Sequence, residues 1–564
     1  MHYVHVLDTL RNTSFHDEMQ YMDPYARTTG VNGHRAMVLD LSSTNPEGWE
    51  SDRDPHAGIP VTDAVIAELH IRDLSMDPSA NISNRGKYLG LVETGTRTAS
   101  GIPTGLDHLK ELGITHLHIL PMYDYGSVDE SRPDIPQFNW GYDPMNFNVP
   151  EGSYASDPFH GEVRVKEVKQ MVKGLHDNGI SIIMDVVYNH VYQAENFCFN
   201  QIVPHYFSRV NDQGHFSNGS VCGNDTASER SMVHKYIVDS VCYWADEYHI
   251  DGFRFDLVGL IDTWTINDII TQVHKKHPNV IFYGEGWDMA TEVTKPYVHL
   301  TTQYNSAEVP RFAFFSDTIR DALRGSVFDM NHSGFASGGT ADKNTLHACF
   351  MGVPYWANNP TQSINYVSCH DNNTLYDRMI LAAPWAPREV HARMNNLAAA
   401  FTLLSQGIPF FQAGEEMLRS KPNGHGGLEH NSYNSPDAVN SIKWDTLNDP
   451  LVMHTFRYYQ GLLRFRKSHP NLRLTSREDV LETVKPLPCS NDHMVAFGIG
   501  SRQEEQMLAI FNAYPLSVPI HLPQGKWKVY IDEENAGTEP LYTLEGAIKV
   551  EPYSPLILIK ENDV

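Results

Sequence analysis

Short apolar runs alternate with amphipathic helical patterns from Ile66 to Phe411, and few folds accommodate that rhythm. The runs 66–71, 116–120, 182–187, 253–257, 280–283, 364–367 and 408–411 have the length and residue types of buried strands. Between them, 163–176, 232–248, 266–274 and 390–404 carry apolar residues at helical spacing. In the first of these, Val165, Val168, Val172 and Leu175 share one face, and Asn178-Gly179 supplies the stop. Repeated strand–helix units build a parallel sheet, and a closed (β/α)8 barrel is the economical way to bury it. An open doubly wound sheet is the alternative, but its glycine-rich turn is absent after the first run.

The flanks differ in texture. Beyond a helical stretch at 452–467, short runs at 494–499, 507–512, 526–531 and 556–559 are separated by Pro, Gly and Asn turns, which predicts a small antiparallel β-sandwich. Ahead of the barrel, 35–41 reads as a strand and 42–60, rich in Pro, Gly, Ser and Asp, as a linker. The expected fold class is therefore α/β: a partial N-terminal β module over 1–45, a catalytic TIM barrel over 46–470 and a β-sandwich over 471–564. The N-terminal piece is too small to own a core. A loop insertion is expected near 191–229 within the barrel.

Charge and cysteine content exclude several function classes. With 43 Lys and Arg against 69 Asp and Glu, the net charge of −26 repels nucleic acid and anionic membrane and suits a neutral partner. No apolar run reaches the roughly 18 residues of a membrane span, and Met1-His2-Tyr3-Val4-His5-Val6 lacks the pattern of a secretory signal. The 6 cysteines are scattered without paired spacing, which predicts neither disulfides nor a cysteine-rich zinc site. A cytoplasmic location is expected. On that basis Asn218-Gly219-Ser220 and Asn224-Asp225-Thr226 read as plain loop rather than glycosylation sites. The 29 histidines show no zinc-ligand spacing.

The chemistry gathers at strand ends. Asp256 closes Gly252-Phe253-Arg254-Phe255-Asp256, Glu285 follows Ile281-Phe282-Tyr283-Gly284, and Asp371 follows a third apolar run ending in Cys369-His370. Three acids at one mouth suit cleavage of a glycosidic bond, which needs a proton donor on one side of the sugar and an anion on the other. Arg254 shares a face with Asp256 and should keep it ionised, as a nucleophile requires. Apolar neighbours should keep Glu285 protonated, as a general acid requires.

These residues carry a resemblance. Asp185-Val186-Val187-Tyr188-Asn189-His190, Gly252–Asp256, Gly284-Glu285-Gly286-Trp287 and Ser368-Cys369-His370-Asp371-Asn372 resemble the four short regions of the α-amylase superfamily, glycoside hydrolase family 13. Phe138-Asn139-Trp140-Gly141-Tyr142-Asp143-Pro144 resembles the tyrosine-containing motif of its type I pullulanases, with Phe138 where Tyr is usual. Glu68-Leu69-His70-Ile71-Arg72-Asp73, 223–230 and 430–437 are similar to further family stretches.

The resemblance implies Asp256 as nucleophile, Glu285 as acid and base, and Asp371 as the group that holds ring hydroxyls and stabilises the transition state. It implies sugar contacts from His190 and His370, positioning of Asp256 by Arg254, a stacking platform at Tyr142 and a supporting role for Asp185. Trp287 would wall the acceptor side, with Asn434 and Asp437 on the donor side. The implied activity is retaining hydrolysis of α-1,6 branch points in pullulan and limit dextrins by a monomer. No cofactor is required; calcium occurs in many relatives, but no cage can be assigned here. An α-1,4-acting or transglycosylating relative, or a non-catalytic glucan-binding scaffold, are the alternatives. Type I pullulanases usually carry a β-sandwich of the glycogen-binding class before the barrel. Residues 21–26 and 35–41 resemble only its final strands, so a shortened N-terminus is expected.

Overall fold

The computed structural model describes residues 21–293, 295–329, 332–500 and 506–561. Eight parallel strands close into a barrel: β1 (Ile66–Leu69), β2 (His116–Ile119), β3 (Ser181–Val186), β4 (Gly252–Phe255), β5 (Ile281–Gly284), β6 (Ala313–Phe315), β7 (Ser363–Asn365) and β8 (Ile408–Gln412). They lie round the barrel in chain order, and β1 closes it by pairing with both β2 and β8, Ile66 facing His116 and Phe410. Seven of the eight answer to the apolar runs. The eighth, β6, escapes the sequence pattern because only three residues of it pair, shortly after Pro310-Arg311.

Five of the outer helices answer to the expected periodicities, all of those named next except the first and the fifth, which the sequence pattern did not anticipate. The outer helices include α1 (Gly105–Leu112), α2 (Gly161–Asp177), α3 (Ser231–Tyr248), α4 (Thr263–His274), α5 (Asp317–Arg324), α6 (Arg388–Leu404) and α7 (Pro450–Ser468). Residue 179 after α2 has φ +76°, the left-handed stop that only glycine adopts without cost. The Asp262 carboxylate accepts the Thr265 N–H and caps α4. Between β5 and β6 a 3₁₀ turn, Gln303–Glu308, stands where a helix would otherwise pack.

One apolar layer lies between barrel and helices. A second fills the barrel, where Ile66, Ile183, Tyr283, Phe315, Ile364, Tyr366 and Phe410 point inward. The barrel is thus a packed core, and its site lies at an open end.

After α7 come β9 (Val484–Leu487), β10 (Met494–Ile499), β11 (Met507–Asn512), β12 (Val518–His521), β13 (Trp527–Ile531), β14 (Tyr542–Leu544), β15 (Ala547–Val550) and β16 (Ser554–Lys560). Six form an antiparallel sheet in the order β9-β10-β11-β16-β13-β14, and β12 pairs with β15. The sheet docks on the barrel's helices through aromatic rings: Phe497 stacks on Phe350 at 4.0 Å, and Phe511 meets Phe401 on α6 at 4.9 Å, tilted by 57°.

Two readings ahead of the barrel need correction. Residues 35–41 are not a strand. Ala36 makes one isolated bridge with Thr29, and the stretch is otherwise irregular and mostly exposed, because no second strand lies alongside it. The first 20 residues, part of that expected module, lie outside the described ones. Nor is 42–60 a free linker. Trp49 is buried and stacks on His249 at 4.1 Å, the Lys169 ammonium donates to Leu41 O at 3.0 Å and Asn45 Oδ1 at 2.6 Å, and Asp52 is buried between two histidines. Composition alone conceals this, since a few anchoring side chains fix an otherwise polar segment.

Candidate active site

Strand geometry places the acids. Asp185 sits in β3 and Arg254 in β4, Asp256 directly follows β4, and Glu285 directly follows β5. Residues two apart on a strand face the same way, so Arg254 and Asp256 both point into the mouth. The Arg254 guanidinium, 1% exposed, is the hub. Its Nη1 lies 2.9 Å from Asp185 Oδ1 and 3.0 Å from Asp256 Oδ1, and its Nη2 lies 2.7 Å from Glu285 Oε1. Arg254 stands against Asp256 as expected, and the same cation also grips Glu285, which the sequence did not suggest.

What separates the two acids is the rest of their surroundings. Asp256 accepts the Asn189 amide at 2.6 Å on Oδ2. Glu285 accepts the Leu257 N–H at 3.1 Å. Burial pushes Glu285 up to about 7 against the pull of Arg254, with the charges of Asp256 and Asp371 adding to the rise. Burial also raises Asp256, opposed by Arg254, His190 and the Asn189 amide. Asp185 is held low: against its burial stand Arg254 and His118, whose Nε2 is 3.0 Å away.

The backbone is strained where the acids project. Leu257, next after Asp256, has φ 38°, and Asn372, next after Asp371, has φ 64°. A leucine in the left-handed region costs of order 1–3 kcal/mol and persists only where its surroundings enforce it. The N–H of the same residue points at Glu285.

The residues expected to face the sugar divide. Tyr142 donates its hydroxyl to Asp185 Oδ2 at 2.8 Å and stacks on His370, with centroids 5.0 Å apart at 22°. His190 pairs with Asn189 Oδ1 and lies 2.9 Å from Tyr142 O. The Asp371 side chain is 47% exposed at the rim, 3.7 Å from His370 Nε2. Trp287 is half-buried, with the Arg320 guanidinium 5.9 Å from its ring. Asn434 is exposed on its loop. Asp437 stands apart: both its oxygens are taken by Arg72, at 2.9 and 2.6 Å, so it anchors the segment after β1. The structure thus brings together Asp185, His190, Arg254, Asp256, Glu285, Tyr142, His370 and Asp371, and it gives Asp437 another occupation.

Sequence reasoning missed Glu68, His118 and Asn189. Glu68 projects from β1 into the same network, with Oε1 2.7 Å from His370 Nδ1. Its signal was a lone acid inside the apolar run Val65-Ile66-Ala67-Glu68-Leu69, a position where an unpaired charge does not survive.

Among the described residues one group of acids approaches a metal-binding arrangement, Asp124, Glu130 and Glu151, all buried. They do not fit a calcium cage. The buried Arg164 guanidinium already stands among them, 2.8 Å from Glu130 Oε2 and 3.5 Å from Asp124 Oδ1.

A barrel with two acids on one arginine at its C-terminal mouth defines a glycosidase-type site, and comparison with known proteins places it. The model of the α-amylase catalytic domain matches residues 91–217 and 217–457. The chain is similar to the pullulanase of Bacillus subtilis (strain 168), 40% identical over 97% of this chain and 75% of that one. It is 32% identical to the chloroplastic pullulanase 1 of Arabidopsis thaliana over 82% of this chain, spanning 60% of that relative's length. Its fold is similar to the crystal structure of Paenibacillus barengoltzii pullulanase in complex with maltohexaose and α-cyclodextrin, with TM-score 0.89 and 41% identity over 96% of this chain and 83% of that one. The chain belongs to the α-amylase family, on its pullulanase branch.

Proposed function

We propose that this protein hydrolyses α-1,6 linkages in pullulan, limit dextrins and related α-glucans with retention of configuration. The observation that carries the reading is the pair Asp256 and Glu285 on one guanidinium, with burial pushing Glu285 up to about 7, where a proton donor near neutral pH must stand. Asp256 attacks the anomeric carbon as Glu285 protonates the departing oxygen. The resulting ester is opened by a water that Glu285 deprotonates. Asp371 and His370 hold hydroxyls of the distorted sugar, His190 binds beside them, and Tyr142 offers its ring to the apolar face of the pyranose. Trp287, beyond the acid, suits stacking on the acceptor chain, and with the Tyr142 motif it supports the α-1,6 reading. The pullulanase relatives support it further.

Each role in this scheme is filled by a side chain, so we infer that no cofactor is needed. The free state of all six cysteines agrees with a reducing, cytoplasmic setting, and no helix among the described residues is long and apolar enough to cross a membrane. A monomer suffices, since every residue of the scheme comes from one chain. Digestion of pullulan is the test. Maltotriose as the end product supports α-1,6 cleavage; panose, or no release, overturns it.

A further inference from the structure

His370 is enclosed by groups that fix its state. Its Nδ1 lies 2.7 Å from Glu68 Oε1 and 3.5 Å from the Tyr142 hydroxyl, and Nε2 lies 3.7 Å from Asp371 Oδ1. Tyr142 covers one face, and the edge of Trp140 meets the ring at 4.7 Å. The ionisable groups around this pair are Glu68 on β1, His118 on β2, Asp185 on β3, Arg254 on β4, Glu285 after β5 and Asp371 on the histidine's own loop. Lys421 lies beyond Trp140, 6.0 Å from its ring.

Glu68 is 1% exposed, and its Oε2 has no hydrogen-bond partner. His118, the other ring near it, keeps Nδ1 4.0 Å from Glu68 Oε1 and gives Nε2 to Asp185. A carboxylate this poorly solvated stays ionised only beside a cation, and His370 is the group placed to be one. The chemistry on the other side of the ring agrees. With Nδ1–H donated to Glu68, a neutral ring would turn the Nε2 lone pair toward Asp371, acceptor against acceptor. The protonated ring turns an N–H there instead.

We propose that Glu68 is a positioning residue: it holds His370 as an imidazolium whose Nε2–H faces Asp371 and the sugar bound beside it. The inference rests on reading His370 and Asp371 as sugar-holding groups. Burial works against protonation of the ring, but Glu68 and Asp371 raise it to about 9, while His370, more than His118 and Arg254, draws Glu68 below its ordinary value.

The test is nuclear magnetic resonance of protein labelled at histidine 13Cε1, with the His370 signal identified by its loss in His370→Asn. His370 is expected to stay protonated through pH 8 in the native chain. In Glu68→Gln its titration is expected to fall by at least one pH unit, with kcat on pullulan reduced tenfold or more and KM changed less. Glu68→Asp, which keeps the charge, should retain more activity than Glu68→Gln, which keeps the shape. A ring already neutral at pH 7 in the native chain, or an unmoved titration in Glu68→Gln, overturns the proposal. So does a Gln variant that works better than the Asp variant. If the titrations behave as expected but pullulan yields no maltotriose, the charge pair stands and the functional reading fails.

Discussion

Two carboxylate–histidine clusters sit at opposite ends of the barrel, and their difference separates stability from function. At the closed end His176, on α2, lies 2.8 Å from Asp52 and 2.9 Å from Asp251, and His249 lies 2.9 Å from the same Asp52 oxygen. Asp251 also receives the Ile182 N–H at 2.8 Å. Both ring nitrogens of His176 are thus engaged, tying the N-terminal segment to α2 and to the entrance of β4. At the open end the network is left incomplete. Glu68 Oε2, His118 Nδ1 and Arg254 Nε have no partner, and Asp371 reaches into solvent. Buried polar groups left unsatisfied are costly, and these three lie beneath the mouth that holds Asp256 and Glu285.

The sharpest way to break this comparison is to remove one member from each end. Glu285→Gln should lower kcat on pullulan by about 10²–10⁴-fold, the usual worth of a general acid, without lowering thermal stability, because it removes a buried ionisable group. A Gln variant within tenfold of native activity would sink the assignment. Asp256→Asn tests the nucleophile in the same assay, and unchanged hydrolysis would refute it. At the other end His176→Leu leaves Asp251 without its cation and Asp52 with His249 alone, and should cost about 3–5 kcal/mol of stability. Its signature is a lowered urea midpoint with kcat per folded molecule within twofold of native. A loss of activity in the folded fraction would erase the distinction between the two ends.

The pH dependences should separate as well. Activity should decline as pH rises through about 7, where Glu285 gives up its proton. On the acid side it should fall as Asp256 is protonated, above the ordinary aspartate range because burial raises that group. For His176 the burial that would lower its pKa is outweighed by Asp251 and Asp52, which lift it from 6.5 to about 10. A raised histidine stabilises the fold fully below its unfolded value, and that contribution is lost as pH climbs through the folded one. Denaturation midpoints measured from pH 7 to 10 should therefore fall in the native chain and less so in His176→Leu. The smallest effect expected is none: dialysis against EDTA should leave activity and melting temperature unchanged, since Arg164 occupies the acidic group of Asp124, Glu130 and Glu151. A drop restored by calcium would show that reading to be wrong.

Much of this was legible in the residues, for identifiable reasons. A strand buried on both sides is a continuous apolar run, so an acid at its end, such as Asp256 or Glu285, stands out. The helices were legible because their inner faces repeat. Glu68 was not, because a single acid within a strand looks like an interruption until its partner, 302 positions away, is known. Arg254 was read by its neighbour in sequence, whereas its second acid comes from the next strand. Residues 35–41 have a strand's apolar run but lack a second strand to pair with, and 42–60 have a linker's composition with an anchor's contacts. Pairing and anchoring are properties of distant residues, which local pattern does not contain.

The shared grip of Arg254 has a consequence in time. In the proposed reaction, esterification of Asp256 by the sugar removes its charge and leaves Arg254 chiefly to Glu285 on that side of the mouth. The repulsion that helped keep the Glu285 proton in place disappears at the same moment. The carboxyl that has just given its proton away is then favoured as an anion, ready to take one from water. When water frees Asp256, the repulsion returns and the proton is held again. Arginine and carboxylates form a see-saw with no moving part, its tilt set by whether the sugar is attached.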